Sequence, residues 1–66
     1  MKFQAITNTE ADSPLHCFLY ARYLPRKHET VFINGSEYYV EDVFHYADKS
    51  KTIRPPMVYL TDKADW

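Results

Sequence analysis

The chain has 66 residues, a formal net charge of −1 and a single cysteine. That length allows one small domain over residues 1–66, which buries only about 60% of the surface its unfolded chain exposes. A lone thiol excludes an internal disulfide framework, and the near-neutral charge lacks the strongly basic footprint of a dedicated duplex-DNA binder. Six Tyr, four Phe and one Trp make the chain unusually aromatic for its size. Large rings offset a small core, but not all of them fit inside it, so the surplus points to a contact surface. No N-terminal apolar run resembles a signal peptide or a membrane span, and the expected location is the cytoplasm.

In chain order, residues 2–7 (KFQAIT) alternate weakly and predict a first strand, followed by a run of turn formers and acids that ends at Pro14. Residues 15–24 (LHCFLYARYL) support two readings. Cys17, Leu19, Ala21 and Tyr23 alternate as in a strand, whereas Leu15, Phe18, Leu19 and Arg22 suit one face of a short helix in 14–24, with Ser13 as its cap. The strand is the preferred reading. Pro25 ends this element and RKHE forms a polar connector.

Thr30-Val31-Phe32-Ile33 then precedes Asn34-Gly35 and a second alternating run. Asn-Gly between two such segments is the strongest short-range hairpin signal, because a type I′ turn needs positive φ at both central residues. A two-residue loop pairs Ile33 with Ser36, Phe32 with Glu37, Val31 with Tyr38 and Thr30 with Tyr39, and puts Val31, Ile33, Tyr38 and Val40 on one face. Val43 falls out of phase with Val40 unless a β-bulge at Glu41-Asp42 adds a residue and bends the strand. After Pro55-Pro56, Met57-Val58-Tyr59-Leu60 predicts a closing strand. The expected fold is mostly β: a small barrel of four to five antiparallel strands.

The stretch LPRKHETVFINGSEYYVEDVFHY resembles the core hairpin of SH3-like small β-barrel domains found in short bacterial and phage proteins. Its Leu-Pro and acidic residue precede an alternating strand, a Gly turn and a Tyr-x-Val-x-x-Val run. His28 stands where that pattern more often has a turn glycine. The resemblance covers about a third of the chain and implies a fold, and folds of this kind host many functions.

Chemistry is sparse in this sequence. His16 and Cys17 point to opposite faces of a strand, and one Cys with His16, His28 and His45 has no zinc spacing. The only glycine is committed to a turn, which leaves no phosphate-cradling loop. His45, in phase with Val43, reads as a core-edge histidine bonded to a backbone carbonyl. The expectation is therefore a non-enzymatic protein with no metal, cofactor or catalytic residue.

Two binding functions compete. Phe32, Tyr39, Phe44 and Tyr46 fall on the face opposite the core residues, which suits a protein–protein interface or a homodimer of the kind formed by accessory or phage-derived modulators. Residues 15–24 would cover those rings if they packed over them as a second layer. The alternative is single-stranded nucleic acid held by Arg22, Arg26, Lys51 and Arg54, with Tyr23 or Tyr46 as a stacking platform. Lys27 and Lys49 extend the two basic segments, while Glu29, Glu37, Glu41, Asp42 and Asp48 count against this reading if they interrupt the same surface.

Overall fold

The computed structural model describes residues 1–7, 15–47 and 54–62. Five strands form one sheet: β1 (Lys2–Thr7), β2 (His16–Tyr20), β3 (Thr30–Ile33), β4 (Ser36–Phe44) and β5 (Met57–Thr61), in the order β2-β1-β5-β4-β3. The sheet is curled into a half-barrel. The described residues contain no helix, and of the ambiguous segment 15–24 only His16–Tyr20 forms a strand, β2. The chain leaves the sheet after Tyr20, so Tyr23 is exposed and does not continue the alternation of Cys17 and Leu19.

The β3–β4 register matches the one that a two-residue turn dictates, from Thr30↔Tyr39 to Ile33↔Ser36. Asn34 and Gly35 have φ of 51° and 85°, as a type I′ turn requires. Between β4 and β5 the register jumps from Val40↔Leu60 to Asp42↔Tyr59, so Glu41 is the extra residue of the bulge. The bulge returns Val43 to the concave side opposite Val58 and bends β4.

One pairing departs from the all-antiparallel expectation. β1 and β5 run parallel, Gln4↔Met57 through Thr7↔Leu60, and the ladder extends to the Gln4 amide donating to the Pro56 carbonyl at 2.9 Å. A parallel neighbour requires a long connection rather than a hairpin, and here β2, β3 and β4 all lie between the two strands in sequence. Local periodicity carries no signal for such a pairing.

The concave face holds the core: Phe3, Ala5, Ile33, Tyr38, Val40, Val58 and Leu60 are buried, with Leu15, Cys17, Leu19, Leu24, Val31 and Val43 packed against them. Thr7 is buried at its edge, where its hydroxyl accepts from the Leu15 amide at 2.7 Å and so fixes the entry to β2. Phe3, Val40, Val58 and Leu60 are the largest fully buried side chains. Truncation of Phe3 or Leu60 to Ala would leave a cavity costing about 2–5 kcal/mol, a large share of the stability of so small a domain.

The two edge strands, β2 and β3, face each other across an opening of about 260 Å³ whose lining includes Leu19 and Tyr20 from one side and Val31 and Phe32 from the other. The connector 21–29 runs from one edge to the other at one end of the half-barrel. It starts where the Ala21 amide donates to the Met1 carbonyl and ends where His28 and Glu29 pair with both backbone groups of Val40.

Candidate functional site

Register decides what collects at that end of the half-barrel. β1 and β5 begin there, β2 and β4 end there, and the connector crosses there. Every lysine and arginine among the described residues belongs to it: Lys2 at the start of β1, Arg22, Arg26 and Lys27 in the connector, and Arg54 ahead of β5. The carboxylates are distributed differently. Glu37 and Asp62 lie toward the opposite end, Glu41 and Asp42 sit at the bulge, and of the described acids Glu29 alone lies in the connector.

Aromatic side chains gather at the same end. Phe18, Tyr20, Tyr23, Phe44 and Tyr46 are 53, 77, 74, 41 and 39% exposed. Neighbouring strands place Tyr20 beside Lys2, and Phe18, Gln4, Met57 and Phe44 in one row across the convex face. Three rings carry a cation: Lys2 Nζ lies 4.8 Å from the Phe18 centroid, the Arg54 guanidinium 4.3 Å from Tyr46, and that of Arg22 5.7 Å from Tyr23. Such contacts are worth about 0.5–1 kcal/mol at exposed sites, and they hold long side chains in place. The Gln4 side-chain amide donates to His16 Nε2 at 3.0 Å, tying β1 to β2 on the same convex face.

Among the described residues, a smaller and a larger concavity open here. The smaller, about 220 Å³, is lined by Gln4, Phe18, Tyr46, Arg54 and Pro55. The larger, about 610 Å³, lies between the connector and the end of β4, with Leu24 and Val43 as apolar lining and Tyr23, Arg26, Lys27 and His45 around them. His45 and Tyr46 are consecutive in the chain, so one short segment contributes to both. His45 is exposed and lines the cleft, which corrects the expectation of a core-edge histidine: the chain leaves the sheet at Phe44, before His45 can point inward.

The residues expected to form a protein-contact face do not form one patch. Phe32 is 70% exposed on β3, opposite Glu37, seven positions along β4 from Phe44. At about 3.3 Å per residue that separates them by roughly 20 Å. Tyr39 is half-buried, and its hydroxyl donates to Glu37 Oε1; this bond, and the negative charge of Glu37, raise its pKa above the usual 10.0. Phe44 and Tyr46 belong instead to the cation-bearing end. Residues 15–24 do not cover these rings, because they join the same sheet as β2 and the connector.

Of the residues expected to hold nucleic acid, Arg22, Tyr23 and Arg26 come together in the connector, while Arg54 sits on Tyr46. Lys51 lies outside the described residues, as do Lys49 and Asp48. Sequence reasoning missed Lys2, Gln4 and Phe18. The alternation of His16, Phe18 and Tyr20 opposite Cys17 and Leu19 signals an outward aromatic row, but Lys2 and Gln4 enter only once β1 is paired with β2. Among the described residues no three His, Cys, Asp or Glu side chains converge as metal ligands, and no helix is long and apolar enough to cross a membrane. No protein-family model matches the chain, and neither a curated protein nor a solved structure matches it.

Proposed function

We propose that this protein is a non-catalytic, cytoplasmic binding module with an SH3-like half-barrel, and that it takes single-stranded nucleic acid on its cation-bearing aromatic end. One observation carries this reading: strand register gathers Lys2, Arg22, Arg26, Lys27 and Arg54 with five exposed rings at one end, although the net charge is near zero. Single-strand binders combine a positive track for phosphates with aromatic faces for bases, and each stacked base contributes about 1–3 kcal/mol. Ring faces stack on any base and the cations contact phosphates common to every nucleotide, so the affinity these groups supply is tolerant of sequence.

Fluorescence anisotropy of a labelled mixed-sequence oligonucleotide, titrated with protein at several salt concentrations, tests this. Three to five phosphate contacts give a log–log salt slope of about −2 to −3.5. Absence of binding at low salt would overturn the proposal.

A second reading rests on Phe32. A ring that is 70% exposed on an edge strand, beside an apolar opening, suits a protein contact or a homodimer formed through β3. Sedimentation equilibrium tests it: a dimer that Phe32→Glu converts to monomer supports this reading, and a monomer at all concentrations removes the homodimer.

A further inference from the structure

The two concavities at the cation-bearing end differ in how their charge is arranged. On the convex side the cations are spaced one to a ring, Lys2 over Phe18 and Arg54 over Tyr46. That spacing suits internal nucleotides, each with one base and one singly charged phosphodiester. In the 610 Å³ cleft, Arg26, Lys27 and His45 line a single site together with one aromatic ring, Tyr23. Arg26 and Lys27 are permanent cations, His45 adds imidazole nitrogens, and Glu29 is the one carboxylate in the lining, so the cleft offers more donors beside its one ring than a single phosphodiester uses. A terminal phosphate monoester, with its further acceptor oxygen and a charge of about −1.5 to −2 at neutral pH, suits that donor set.

The rim of the cleft is held in shape before any ligand arrives. Glu29 closes the connector turn twice: its carboxylate Oε1 accepts from the Arg26 amide at 2.6 Å, and its own amide donates to the Arg26 carbonyl at 3.0 Å. Both backbone groups of Val40, a fully buried residue, anchor the same turn through His28 and Glu29. The turn that carries Arg26 and Lys27 is thus fastened to the core strand, which lowers the ordering cost of binding. Glu29 also lines the cleft, and its tie to the Arg26 amide engages part of its carboxylate within the turn. The size of the cleft falls within the range of small-ligand sites, and Leu24 and Val43 supply an apolar bed beside Tyr23 on which a base can lie.

We infer that this cleft is an end-binding site, which receives the phosphorylated terminal nucleotide of a single strand, with its phosphate among Arg26, Lys27 and His45 and its base against Tyr23. This inference rests on the nucleic-acid reading above and specifies which part of the strand is held. The strand then continues over Tyr46 and Phe18, since Tyr46 directly follows His45.

The experiment compares one oligonucleotide sequence in three forms, 5′-phosphorylated, 3′-phosphorylated and unphosphorylated, by anisotropy at fixed salt. One phosphorylated form is expected to bind about tenfold more tightly than the unphosphorylated one, as one or two added charge-assisted contacts provide. Whichever arm gains affinity identifies the end. His45→Ala, at an exposed position outside the set of lysines and arginines that tracks the strand, is expected to erase most of that preference while changing the affinity for the unphosphorylated form less than threefold, whereas Lys27→Ala is expected to weaken all three forms and the preferred one most. Equal, salt-sensitive binding of all three forms would overturn the end-binding inference and leave the nucleic-acid reading standing. Absence of binding by any form at low salt would overturn both.

Discussion

The two ends of the half-barrel each carry a tight turn with left-handed backbone, and they are built from different chemistry. At the far end the β3–β4 turn uses Asn34 and Gly35, the pair best suited to positive φ, and nothing lies within 4 Å of where a Cβ on Gly35 would stand. At the cation-bearing end the turn from Arg26 to Glu29 puts His28 at φ 73°, a position where a type II turn favours glycine. The first turn is optimised for folding alone. The second accepts a strained residue inside the segment that presents Arg26 and Lys27, and departures of this kind from local preference concentrate at functional sites. The charges divide in part: the described lysines and arginines lie at one end, while of the described acids Glu37 and Asp62 lie toward the other and Glu29, Glu41 and Asp42 lie in or beside the connector.

Charge reversal at each end breaks this comparison most directly. Arg26→Glu combined with Arg54→Glu is expected to weaken oligonucleotide binding roughly a hundredfold, about tenfold for each reversed contact. Glu37→Lys, at the far end, is expected to change binding less than threefold, and circular dichroism would verify that both variants remain folded.

Substitutions in the two turns are expected to move stability in opposite directions. Gly35→Ala forces a side chain into left-handed backbone and is expected to cost about 1–2 kcal/mol by denaturant unfolding, with strain as the cause because the space is open. His28→Gly removes a comparable strain, partly offset by the greater entropy of the unfolded chain, and is expected to stabilise by up to about 1 kcal/mol. If His28→Gly destabilised the protein, the idea of a turn compromised for presentation would fail.

The smallest effect is at Tyr39. Its phenol donates to Glu37, so the protonated form is favoured in the folded state and the folded pKa lies above 10.0. The stabilisation is fully present below the unfolded pKa and is lost as pH rises through the higher folded value. A phenolate absorbance titration should show one tyrosine ionising late, and Glu37→Gln should return it toward the ordinary range.

The hairpin was legible in the sequence because its determinants are local. Asn34-Gly35 sets the turn, the turn sets the register, and Val40 against Val43 reveals the bulge. β2 was half legible, since Cys17 and Leu19 alternate with the outward positions as in a strand, but Leu15, Phe18, Leu19 and Arg22 also fit one face of a helix. The parallel β1–β5 pairing was not legible at all. It joins residues more than fifty positions apart, and the alternation of KFQAIT says which residues face inward without saying which strand lies beside them. The candidate site shares that fate. Tyr23 and Arg26 stand close in sequence, but Lys2, Phe18 and Arg54 meet only through β1 pairing with β2 on one side and β5 on the other. Of the acids that appeared to interrupt a basic surface, register places Glu37 toward the other end, Glu29 stays in the connector, Glu41 and Asp42 sit at the bulge, and Asp48 lies outside the described residues.

The most direct measurement is a heteronuclear NMR titration of the labelled protein with a mixed-sequence single-stranded oligonucleotide. Amide shifts at Lys2, Phe18, Tyr23, Arg26 and Tyr46, with the 33–37 turn unmoved, are the expected result. Shifts centred on Phe32 to Glu37, or no shifts at low salt, would contradict it.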